Sequence, residues 1–185
     1  MALLTRDDLR RQSRLAWACL AALAGVALLL WWLDKRSAAL ATILAMLGLL
    51  AVILPPRERM PHLPMRLRRL PRSLDAAPVL ATILSTPGHG LNWFHGANPY
   101  DEVVHLVSGL LAGAVFAGLV LADGTSRHPA RMATLGLVFG IALALGWEGL
   151  EALLGIIGDT TDTISDAILT TLGAAIGAAL WRGGR

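Results

Sequence analysis

Cysteine is almost absent from this chain: Cys19 is the single one, so no intramolecular disulfide can form. Charge is scarce as well, at 16% of 185 residues. Neither Lys nor Arg occurs between Pro99 and Leu121 or between Met132 and Trp181. There is no His-Glu-x-x-His helix and no recognisable nucleophile motif, which excludes the common zinc-protease and serine-hydrolase signatures. No small-residue cleavage site follows the first apolar run. That run is longer than a signal-peptide core and is preceded by Arg6, Arg10, Arg11 and Arg14, so a retained anchor is expected.

What is present is apolar sequence in long runs. Hydrophobic residues make up 55% of the chain, and the mean hydropathy is +0.60. A water-soluble domain of this size does not need so much. Residues 15–33, 38–54, 103–121, 132–157 and 164–181 each approach or exceed what a helix needs to cross about 30 Å of hydrocarbon. The fold class expected is all-α, a polytopic membrane helix bundle forming one integral domain over residues 1–185.

A sixth segment, 74–94, is short or broken. Its apolar part, Leu74 to Thr86, is 13 residues and is closed by Pro87-Gly88. The arginines bear on whether it crosses. With six crossings, fourteen basic residues fall on one side and Lys35 and Arg36 on the other; with five, the split is ten against six. The positive-inside rule therefore favours six crossings with both termini cytoplasmic. The same rule accounts for the sequence pI near 10.0 without a nucleic-acid partner. The expected partners are membrane lipids and a lipid-linked substrate, and the sequence specifies no oligomeric state.

This topology brings polar segments from distant parts of the chain to the outer face. They are residues 88–95 with His89 and His95, the helix start with Asp101, Glu102 and His105, and the turn with Asp159, Asp162 and Asp166. Glu148 and Glu151 join them from the end of the fifth run. Asp101 and His105 are four apart and share a helix face, as do Asp162 and Asp166; Glu148 and Glu151 are three apart. The Asp162–Asp166 stripe continues through Thr170, Gly173 and Gly177. Small residues spaced by four at Gly109 and Gly113, Gly136 and Gly140, and Gly173 and Gly177 give each of the last three helices a surface for close approach.

Seven acids without a basic partner must take up protons, stay hydrated or share a cation. Carboxylates with histidine suit a divalent ion such as zinc, manganese, iron or magnesium. The candidate ligands are His105, Glu148, Glu151 and Asp166, with Asp162 and His89 as further candidates. Asp101, His105, Glu148 and Glu151 are the candidate catalytic residues, Asp101 orienting His105. Three functions fit: a metal-dependent hydrolase or transferase on a lipid-linked substrate, an ion or proton-coupled transporter, and a structural or assembly protein holding a structural metal. The lack of an arginine near the acids argues against a phosphate substrate unless the metal binds it.

The run of Tyr100-Asp101, Val104-His105, Glu148, Glu151, Gly158-Asp159, Asp162, Asp166 and Leu172-Gly173-Ala174 resembles the YjdF-like family of uncharacterised bacterial inner-membrane proteins. It is more broadly similar to VanZ-like membrane proteins. The resemblance implies a multi-pass protein of the bacterial cytoplasmic membrane and supports the site, and it implies no particular reaction.

Overall fold

The computed structural model describes residues 4–94, 98–155 and 160–182. The protein is an all-α polytopic membrane protein whose chain folds as two compact units, Met1–Gly96 and Ala97–Gly183.

In the first unit, α1 (Arg6–Arg11) starts at a capping box, with the Thr5 hydroxyl accepting from the Asp8 N–H and the Asp8 carboxylate accepting from Thr5 N–H. These bonds, the Thr5 side chain first, hold the Asp8 carboxyl below its ordinary value, and Arg59, ion-paired to it, adds to the effect. Helices α2 (Arg14–Trp32) and α3 (Arg36–Ile53) are joined by a tight turn. Lys35 N–H donates to Leu30 O and Asp34 N–H to Trp31 O, which satisfies carbonyls at the end of α2. Asp34 occupies the left-handed position, with φ 60°, that glycine usually fills.

The connection contains a 3-10 turn (Arg57–Arg59), α4 (Met65–Arg68) and a second 3-10 turn (Arg72–Asp75) before α5 (Ala76–Gly90). The core lies among α2, α3 and α5, with Leu20, Leu23, Ile53 and Val79 packed against Leu50 and Ile83. The hydroxyls of Thr82, Ser85 and Thr86 each donate to the carbonyl four residues back, so α5 carries them without a partner outside the helix.

Beside that core lies a buried polar network. Arg57 Nη1 donates to Asp75 Oδ1 at 2.6 Å, and Gln12 Nε2 donates to Asp75 Oδ2 at 3.0 Å. Arg72 grips Glu58 with two bonds of 2.8 and 2.7 Å and donates to the carbonyl of Ile53, the last residue of α3, and to that of Pro55 just beyond it. Burial opposes ionisation of both partners, yet the hydrogen bonds between them outweigh it. Glu58 is held below its ordinary pKa and Arg72 above its own.

The second unit is made of α6 (Tyr100–Leu121), α7 (Pro129–Leu154) and α8 (Thr160–Leu180). α8 packs extensively against both others, whereas α6 and α7 meet little. Gly109 faces Thr170 and Gly113 faces Ala174, so α6 and α8 run parallel; Gly136 faces Ala178 and Gly140 faces Thr171, so α7 runs antiparallel. A methyl on Gly109 or Gly173 would strike the backbone carbonyl of Thr170 or Leu106. Small residues thus form the inside, while Leu145, Leu153, Ile168 and Leu180 face outward. That is the pattern of helices whose outer faces meet lipid.

Among the described residues, five helices, α2, α3, α6, α7 and α8, are long and apolar enough to cross a membrane. α5 falls short: its 15 residues reach about 22 Å, although the helix continues through Pro87 to Gly90 instead of breaking there. The last three helices begin three or four residues before the apolar runs do. Pro99 and His128 stand at the starts of α6 and α7, the His128 ring accepting from Ala130 N–H, so the polar beginnings are helical. α7 ends at Gly155, with φ 70°.

Candidate metal centre

Because α6 and α8 run parallel and α7 antiparallel, the starts of α6 and α8 share one end with the finish of α7. The acids of the second unit collect there. Asp101 occupies the first turn of α6, where the helix dipole favours negative charge. One turn on, His105 Nε2 lies 3.5 Å from Asp101 Oδ1 and 3.6 Å from Asp166 Oδ2 on α8. The other ring nitrogen, Nδ1, is 3.1 Å from the Thr170 hydroxyl. With the proton on Nδ1 the ring donates to Thr170 and turns the Nε2 lone pair toward both carboxylates; protonated on both nitrogens it becomes a cation between them.

The side-chain oxygens of Asp101 and Asp166 and a ring nitrogen of His105 lie within 4.8 Å of one another, close enough for one cation. Asp166 is 6% exposed, and its Oδ1 has no hydrogen-bond partner among the described residues. A buried carboxylate oxygen without a donor is costly in a medium this apolar, and a bound ion would satisfy it. Two carboxylates and one imidazole are donors that suit a divalent cation.

The charges of Asp101, Asp162, Glu148 and Glu151 all act on Asp166. Glu148 and Glu151 are half-buried on α7, and Glu148 Oε2 is buried with no partner among the described residues. Neither glutamate belongs to the trio whose ligand atoms converge. Asp162 is exposed one turn before Asp166, and Glu102 is exposed on α6. Asp101 belongs to that trio and also lies 3.5 Å from the His105 ring it was expected to orient. His89 belongs to the first unit, where its ring meets Phe94 edge-on at 4.7 Å. His95 and Asp159 lie outside the described residues.

Thr170 lies on the stripe that continues from Asp166, but its spacing alone does not assign it to the histidine. Asp75, the buried partner of Arg57, sits within what reads as an apolar run. An acid inside such a run, with arginines on the flank, was the signal available for it.

A family model matches residues 12–183. The chain belongs to the family described as predicted membrane protein (DUF2238). This corrects the resemblance to YjdF-like and VanZ-like proteins: the motifs of the carboxy-terminal half suggested those families, while the match that places this DUF2238 chain takes in almost its whole length. No curated protein and no solved structure matches it.

Proposed function

We propose that the second unit holds a divalent metal ion on Asp101, His105 and Asp166, and that the protein is a metal-dependent hydrolase or transferase acting on a lipid-linked substrate. The observation that carries this reading is the placement of His105. Its Nε2 faces two carboxylates, one of them buried with an oxygen that lacks a partner among the described residues, while its Nδ1 is engaged by Thr170. A histidine held from behind by a hydrogen bond, with its other nitrogen toward acids, is the arrangement of a metal ligand.

Three protein ligands leave coordination positions for water and substrate. A divalent ion there would lower the pKa of bound water and polarise an ester or phosphoryl oxygen. Glu148 would take the proton, a role supported by its buried Oε2, which has no partner among the described residues, and by its charge acting on Asp166. Glu151, one turn away, adds negative charge that favours the cation. Asp162, exposed at the start of α8, is a further carboxylate on the approach.

The position of the acids supports the substrate class. The acids lie within two turns of the helix ends, at the depth where an amphiphile's head group meets water. The arginine distribution supports placing this end on the outer face of a bacterial cytoplasmic membrane. The arginines of this unit that are described, Arg127, Arg131 and Arg182, belong to the opposite end of the three helices, so an anionic head group would be received through the metal.

The test is elemental mass spectrometry of gently purified full-length protein with two variants. Wild type should carry close to one transition-metal ion per chain, His105→Ala should lose it, and Glu148→Gln should keep it while losing hydrolysis or transfer on lipid-linked test substrates. Wild-type protein that stays metal-free after supplementation would overturn the proposal.

A further inference from the structure

The first unit carries a second feature, independent of the metal reading. Residues 4–14 and 54–75 flank the start of α2 and the end of α3, the ends of two helices long and apolar enough to cross a membrane. The two segments are folded onto each other: Arg59 pairs with Asp8, Gln12 donates to Asp75, and Arg72 donates to Gln12. Together they hold ten arginines against four acids, a surplus of six positive charges. Three of the acids, Asp8, Glu58 and Asp75, are already paired to Arg59, Arg72 and Arg57. The surplus is therefore presented by residues such as Arg6, Arg10, Arg11 and Arg69, which are exposed.

Orientation in the membrane requires only a count of charges on one side. Here the charges sit on a fixed platform, and the platform adjoins an apolar groove of about 360 Å³ lined by Leu4, Leu50, Ala51, Leu54, Pro55 and Met60. Leu50 is one turn deeper along α3 than Leu54, so the groove descends from the platform toward the hydrocarbon. Leu4, Pro55 and Met60, which line it, belong to the same two segments that carry the arginines. A cationic rim above an apolar channel at the membrane surface has the chemistry of a phospholipid with a negative head group.

We infer that this end of the first unit binds an anionic phospholipid, its phosphate among the exposed arginines and an acyl chain in the groove along the end of α3. Arginine suits the role because its planar fork matches phosphate oxygens in pairs. The internal ion pairs keep the three acids from competing for the exposed cations, so the buried network also serves the site.

The experiment mixes full-length protein in mild detergent with equal amounts of phosphatidylglycerol and phosphatidylcholine carrying the same chains, and reads the retained lipid by native mass spectrometry. Phosphatidylglycerol should be retained preferentially, and raising the ionic strength should weaken that preference. The combined variant Arg6→Gln, Arg10→Gln and Arg69→Gln changes three exposed residues and leaves the buried network untouched. It should lower phosphatidylglycerol affinity on the order of a hundredfold, at roughly fivefold per surface arginine. Leu54→Trp alters no charge but fills the groove, and should reduce phosphatidylglycerol retention severalfold with the thermal transition preserved. No preference in wild type, a preference indifferent to salt, or wild-type retention by either variant would overturn the inference.

Discussion

His105 Nδ1 lies 3.1 Å from the Thr170 hydroxyl, across the face on which α6 and α8 meet through their glycines. This bond joins the candidate ligand to the helix that carries Asp166, so the packing of the two helices and the direction of the imidazole are set together. Thr170→Val keeps the side-chain shape and removes the partner. Metal affinity, measured by chelator competition, should fall about 10–100-fold while the fold is retained. An unchanged affinity would detach Thr170 from the site.

Close approach makes a second prediction. A methyl at Gly173 would meet the Leu106 carbonyl, with Leu110 N 2.8 Å away, and neither backbone atom can give way cheaply. Gly173→Ala should destabilise the protein by about 1–3 kcal/mol or more, and should weaken metal binding with it. Gly149, in α7, has nothing within 4 Å of the place a methyl would occupy, so Gly149→Ala should be neutral or stabilising by about 0.5–1 kcal/mol. Thermal unfolding in mild detergent compares the two, and equal transitions would refute the α6–α8 contact.

The buried pair Arg57–Asp75 is a third case. With side chains 10% and 5% exposed, neither charge can turn to water if the other is removed. Asp75→Asn should cost about 3–5 kcal/mol, and the double change Arg57→Met with Asp75→Leu should cost much less, because it leaves no unpaired charge. Unfolding of both variants under one condition decides this; a double variant as damaged as the single one would contradict it.

Glu58 predicts a response to acid. Its pKa lies below the ordinary 4.5 in the folded protein, burial being outweighed by Arg72. Its contribution is therefore complete above about pH 4.5 and is lost as the pH falls through the lowered value. Glu58→Gln should be less stable than wild type at neutral pH, and the difference should shrink as the pH drops below 4.5. Unfolding followed across that range checks it, and a difference independent of pH would show that Glu58 contributes by packing alone.

Hydropathy located five spans to within a few residues, because a helix that meets lipid must be apolar over a fixed length whatever its neighbours are. The glycine pairs on the last three helices were legible for a similar reason: small residues at intervals of four leave a flat strip that only another backbone can fill. The third segment was less clear. Its shortness was visible, but the helix continues through Pro87, and Asp75 is drawn into a polar network by Gln12 and Arg57, which lie far away in sequence.

The site shows the same division. Spacing places Asp101 with His105, and Asp162 with Asp166, on common faces, since periodicity belongs to one helix at a time. It cannot give the rotation of one helix against another. That angle comes from the interlocked backbones at Gly109, Gly113, Gly173 and Gly177. Their contact turns Asp166 and Thr170 toward His105 and leaves Asp162 exposed, while Glu148 and Glu151, on α7, stay outside the converging trio. The sequence by itself determined an all-α membrane protein with acids gathered near helix ends. Tertiary packing decided which of those acids meet, because ligand geometry depends on contacts between helices that no single-helix periodicity contains.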